Sequence, residues 1–160
     1  MIDKKLIKKK MLSLLEEEVL KSQKIAKDSN LMATGNDMKA EGKYDTRAIE
    51  ASYLAGAQER RVNQVKQDLQ LVKNLRTTDF LEFETICLGS LVRLQYEKVT
   101  SLYYISPCAM GPLILEGGQK ILVVSAYSPI GKNAIGLEKG DEFEVKTEKY
   151  FREYKVIEVI

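Results

Sequence analysis

The chain contains no histidine, and its two cysteines, Cys87 and Cys108, are far apart. A zinc finger, a CxxC redox pair and a nucleophile activated by an imidazole all need groups that are missing here. The two thiols read as buried or idle. Long apolar runs are absent too. The patch MLSLL, residues 11–15, is cut short by Glu16, Glu17 and Glu18, too soon for a signal peptide or a membrane span, so a cytoplasmic protein without a membrane partner is expected. No phosphate-cradling glycine loop and no dense acidic cluster beyond residues 35–47 is present, which argues against a self-contained enzyme.

What is present is a soluble composition, 44% apolar and 30% charged over 160 residues, large enough for two small domains. The net charge of +2 hides an asymmetry. Residues 1–78 hold 16 Lys and Arg against 11 Asp and Glu, whereas residues 79–160 hold 9 against 12, giving +5 and −3. An excess of that size suits a nucleic-acid or phosphate-rich partner and suits a solvated helix face equally well.

Apolar and small residues recur at alternating spacings of three and four along Leu12, Leu15, Val19, Ser22, Ala26, Ser29 and Ala33. A second seam follows through Ala48, Ala51, Ala55, Gln58, Val62, Val65, Leu69 and Val72, with no proline to interrupt it. Both are coiled-coil patterns. The first runs from large residues to small and the second from small to large, so only antiparallel pairing matches large with large. Leu12 then faces Leu69, Val19 faces Val62, Ala26 faces Ala55 and Ala33 faces Ala48. The predicted hairpin has arms of about 30 residues, roughly 45 Å at 1.5 Å per residue. Its tip falls near residues 35–45, within the charged segment GNDMKAEGKYDTR. Ile7, Met11, Ile25, Leu54 and Leu71 are left as exposed apolar positions that could form a second seam for oligomerisation.

After Leu75 the pattern becomes β-branched and aromatic, in ETICLGSLVRLQ, SLYYIS, KILVVSAY, EFEVKT and YFREYKVIEVI. These read as strands of an antiparallel sheet, with turns at Gly117-Gly118 and Lys139-Gly140-Asp141. Between two of them Ser128 is a plausible N-cap, Pro129 a first helical residue and Gly136 the end of a short helix. The expected architecture is α+β: a coiled-coil hairpin over residues 1–76 and a β domain over 80–160.

Residues 121–160 resemble the C-terminal segment of the bacterial transcript cleavage factors GreA and GreB, matching at Ser128, Pro129, Ile130, Ile135, Gly136, Gly140, Asp141 and Val145. That family also carries an N-terminal helical hairpin, so the resemblance covers nearly the whole chain. It implies a C-terminal domain of the FKBP-like type that docks beside the secondary channel of RNA polymerase, through Ser128, Pro129 and Ile130 here. It further implies a hairpin that enters the channel and a function in stimulating cleavage of backtracked RNA, as an accessory factor and not an enzyme. The family's tip reads Asp-Leu-Lys-Glu-Asn and then Tyr; this chain has Asp37, Met38, Lys39, Ala40, Glu41 and Tyr44. By that resemblance Asp37 and Glu41 would share a Mg²⁺ with the polymerase, none being expected in the free protein. Lys39, Lys43 and Arg47 would lie near phosphates of the nascent RNA 3′ end, and Tyr44 would support the tip. Ala40 stands where the family has its second acid. Two other readings stay open: a non-catalytic regulator occupying the same channel, and a helical adaptor or dimeric structural protein. The oligomeric state is not readable from the sequence.

Overall fold

The computed structural model describes residues 3–34, 46–77, 85–115, 117–148 and 150–160. Helix α1 spans Lys4–Thr34 and α2 spans Thr46–Asn74. Asp3 caps α1: its carboxylate accepts from the Lys5 N–H at 2.7 Å, and its carbonyl accepts from Leu6 and Ile7. The helices pair antiparallel. Lys8 Nζ donates to the carbonyls of Lys73 and Leu75 at 2.9 and 2.6 Å, placing a cation on the orphan carbonyls where α2 ends. Further along, Arg61 meets Glu18 at 3.1 Å and Asn30 donates to Glu59 at 2.9 Å. Partner numbers sum to 81 for Lys8 with Lys73 and 79 for Arg61 with Glu18, as the seams predict, but to 89 for Asn30 with Glu59, so the expected register holds toward the base and is departed from toward the distal end.

Every residue of the two predicted seams is buried or half-buried, while most of their neighbours are exposed. Two of the apolar positions expected to be exposed are not. Ile7 and Met11 are fully buried, whereas Ile25, Leu54 and Leu71 are exposed as expected. The reason is tertiary. The chain forms two compact units, one of Leu12–Gln70 and the other of Met1–Met11 together with Leu71–Ile160. The first turns of α1 therefore belong with the sheet, and Lys10 Nζ donates to the Ile114 carbonyl at 2.6 Å within that unit.

The sheet has six strands: β1 Leu91–Tyr96, β2 Val99–Ser106, β3 Gly111–Ile114, β4 Lys120–Ser125, β5 Glu142–Lys146 and β6 Phe151–Val159. Their order is β3-β4-β2-β1-β6-β5. Four pairings are antiparallel, but β2 and β4 are parallel, so the sheet is mixed where an antiparallel one was expected. The cause is β3, a strand the sequence pattern did not announce. It forms a hairpin with β4 through a turn in which Gly117 and Gly118 adopt φ of +87° and +82°, and β4 thus returns beside β2 in the same direction. Four residues that include Gly111 and Pro112 have little strand signature, and proline is tolerated because β3 is an edge strand.

One sheet face carries the core of Ile86, Val92, Leu94, Tyr103, Ile105, Phe143, Val145, Tyr154 and Val156. Tyr154 sits at its centre, stacked on Phe143 at 5.4 Å and edge-on to Tyr103 at 6.4 Å. Helix α3, Pro129–Ala134, adds Ala134 and Ile130 to this core. The alternate positions Leu102, Tyr104, Leu113, Ile121 and Val123 are buried as well, so the central strands are covered on both faces.

Candidate functional site

Three places are candidates for a functional surface: the distal helices, the Ser128 turn and the far end of the sheet. Asp37, Lys39, Glu41, Lys43 and Tyr44 lie outside the described residues, and so does Ala40. Arg47 is exposed in the first turn of α2. Next to them the helices invert the usual arrangement of size. The seam positions Ser29, Ala33, Ala48 and Ala51 are small and only half-buried, while Leu31, Met32, Ile49, Tyr53 and Leu54 point outward, each more than half exposed. Little apolar area is gained between the helices here, and much is left on the outside, a pattern suited to contact with another surface. An open groove of about 480 Å³ runs between the helices over Ala26 and Val62, rimmed by Gln23, Asn30 and Glu59. It gathers no set of catalytic groups.

The Ser128 turn is a built element. Ser128 Oγ accepts from the Gly131 N–H at 3.1 Å, capping α3, and donates to the Ser125 carbonyl at 2.6 Å. Ser125 Oγ in turn donates to the Pro107 carbonyl at 3.2 Å and accepts from the Tyr127 N–H at 3.1 Å. Gly131 is required by close approach: a Cβ there would stand 2.2 Å from the Ser125 carbonyl oxygen. Gly136 follows the helix at φ +87° and donates to the Ile86 carbonyl at 2.8 Å, the helix stop expected from the sequence. Pro129 is exposed, Ile130 is half-buried against the core, and Tyr127 is 77% exposed beside them. Ser128, Pro129 and Ile130 are therefore brought together on a rigid turn that presents Tyr127 and Pro129 outward. Sequence reasoning passed over Tyr127 and Gly131. A glycine inside a six-residue helix was the available signal for the second, and nothing local marks the first.

Asp141 is also structural, since its carboxylate accepts from the Glu138 N–H at 2.9 Å and closes the turn before β5. At the opposite end of the sheet the Arg152 guanidinium lies over the rings of Tyr96 and Tyr150, 5.1 and 4.6 Å from their centres. The Tyr96 hydroxyl is pushed above its ordinary pKa, first by its hydrogen bond with Glu97. Burial pushes the Tyr103 and Tyr104 hydroxyls up to about 12 each, and Tyr104 is wholly buried with its hydroxyl unpartnered. Neutral phenols are the state this fold selects.

Among the described residues no group of three or more His, Cys, Asp or Glu side chains is placed to hold a metal ion. No helix among them is long and apolar enough to cross a membrane. Cys87 and Cys108 are in no disulfide among the described residues, and are half-buried and buried.

No family model matches the chain, and no curated protein matches it. Among solved structures it is similar to GreA factor homolog 1 (Gfh1) of Thermus thermophilus, at 21% identity and a TM-score of 0.37, over 96% of this chain and 92% of that one. Gfh1 of Thermus aquaticus matches at 20% identity and a TM-score of 0.38, over 95% and 90%. A prokaryotic transcription elongation factor GreA/GreB from Nitrosomonas europaea matches at 19% and 0.35, over 59% and 78%.

Proposed function

We propose that the protein is an accessory transcription factor that docks on RNA polymerase through its sheet domain and carries residues 35–45 into the secondary channel to stimulate cleavage of backtracked RNA. The observation that carries this reading is the antiparallel pairing of α1 and α2, with Asp37 and Glu41 in the eleven residues that join Thr34 to Thr46. A helix of 29 residues is about 44 Å long, a reach suited to a deep channel. The outward apolar residues of the distal helices suit contact with a wall, and the Ser128 turn supplies a rigid docking edge. The resemblance of residues 121–160 to the GreA and GreB segment supports the same assignment.

In this reading Asp37 and Glu41 hold a Mg²⁺ shared with the polymerase. Carboxylate oxygens are the hard ligands that ion takes, and one or two of them per site are usual. The ion would supply activation of the attacking water. Lys39, Lys43 and Arg47 place positive charge beside RNA phosphates, and Tyr44 steadies the segment. Ala40, in the place of the family's second acid, favours the alternative of a regulator that occupies the channel without stimulating cleavage. A stalled, backtracked elongation complex distinguishes the two. Release of short 3′ RNA fragments that falls by at least about tenfold with Asp37→Ala is expected; no release at saturating protein rejects cleavage stimulation and leaves the regulator.

A further inference from the structure

We infer that Arg152, clamped between Tyr96 and Tyr150, is a second docking point that receives a carboxylate from an acidic segment of the protein partner. This rests on the proposed binding to polymerase and adds a contact at the end of the sheet remote from the Ser128 turn. The separation follows from topology. β4 runs parallel to β2, and the Ser128 turn leaves β4 next to Ser106, the last residue of β2. Tyr96 and Val99 flank the β1–β2 turn at the other end of β2, and the pairing of Tyr96 with Tyr154 brings Arg152 there.

The short helix explains why this end is open. Six residues of α3 extend only about 9 Å, while the nine residues of β6 extend roughly 30 Å, so the core face runs on beyond the helix. Aromatic rings pave the remainder, and Arg152 lies over them half-buried. The rings of Tyr96 and Tyr150 lie against it and one side-chain hydrogen bond goes to Tyr154, which leaves its other N–H groups as the recognition edge. Among the described residues no carboxylate lies within ion-pair distance of it, in contrast to Arg61 and Arg93, which pair with Glu18 and Glu158. Tyr150 and Phe151 are 40% and 52% exposed beside it. Phe151, the next residue along the strand, faces the other side of the sheet, and a guanidinium held against Tyr96 and the part-exposed Tyr150 has the composition of an interface anchor. By sequence the two adjoining turns hold Glu97 and Glu148 against Lys98, Lys146 and Lys149, a net positive charge to which Arg152 adds.

The test is titration of the full-length protein onto core RNA polymerase free of nucleic acid, at low and moderate salt, with thermal unfolding of each variant as control. Arg152→Lys is expected to weaken binding about fivefold and Arg152→Glu more than tenfold, because a point charge does not replace a stacked, bidentate group. Arg152→Met keeps the aliphatic cover of the rings and is expected to keep the unfolding temperature while losing affinity and flattening the salt dependence. Wild-type affinity in all three variants overturns the second docking point while leaving polymerase binding intact. An effect seen only with nucleic-acid-loaded polymerase assigns Arg152 to a phosphate and likewise overturns it. No binding by the wild-type protein overturns the polymerase reading itself.

Discussion

The helical unit and the sheet unit hold themselves together by different means. Between Leu12 and Gln70 the helices share one seam, and its buried members are Leu15, Ser22, Ala26, Ala55, Val62 and Val65, half of them no larger than alanine or serine. In the sheet unit Val92, Leu94, Tyr104, Ile105, Ile121, Val123 and Val156 are buried almost completely, on both faces of the same strands. At about 25 cal/mol per Å² of apolar area the second arrangement stabilises far more per residue. Small seam residues bury little apolar area between the two helices, at a cost in stability. The helical pair is thus loosely packed along its seam, whereas the sheet unit is tightly packed around the capped Ser128 turn.

Truncating matched core positions tests this contrast most severely. Leu94→Ala is expected to cost about 3 kcal/mol of sheet stability, because the buried site cannot collapse around the lost methyls. Val62→Ala, on an open seam, is expected to cost about 1 kcal/mol. Denaturant unfolding followed by far-ultraviolet circular dichroism, dominated by the helices, and by near-ultraviolet tyrosine signals, dominated by the sheet, separates the two. Equal losses in both would abolish the distinction.

A smaller effect is expected at Tyr104, whose hydroxyl is buried without a partner. Tyr104→Phe removes an unsatisfied group and is expected to raise stability by about 1 kcal/mol at neutral pH. With a folded pKa of about 12 against 10 unfolded, the folded state holds its proton to higher pH. The associated stability is present below pH 10 and lost as pH rises toward 12. Melting temperatures from pH 8 to 12 are expected to fall less steeply for the variant, and a fall of equal slope would remove Tyr104 from the account. The smallest effect concerns the exposed Arg61–Glu18 pair. Glu18→Gln is expected to change stability by no more than about 0.5 kcal/mol, and less in high salt, and a larger loss would mean that the helical pair depends on charge more than on its seam.

Periodicity made the helices legible, because a seam needs nothing beyond spacing and residue size. Their register was legible toward the base, where large had to meet large, but not beside Asn30 and Glu59, where the seam residues are small. The cap at Ser128, the stop at Gly136 and the turn at Asp141 could be read because each is local chemistry. Ile7 and Met11 could not be placed, because their burial comes from the sheet unit many residues away. Strand β3 lacked a pattern of its own, and with it went the parallel pairing of β2 and β4. Arg152 was only half legible in sequence, since Tyr150 is two residues away but Tyr96 reaches it through strand pairing.

By itself, then, the sequence determined two long antiparallel helices, a charged segment between them and a β-rich platform with a capped turn, all consequences of interactions between near neighbours or of a repeating pattern. Only the tertiary structure decided which apolar residues of α1 are buried, that the sheet is mixed, and that an arginine stands between two tyrosines at the end remote from Ser128. Those features depend on which strands become neighbours, and strand order is set by long-range packing that no local spacing encodes.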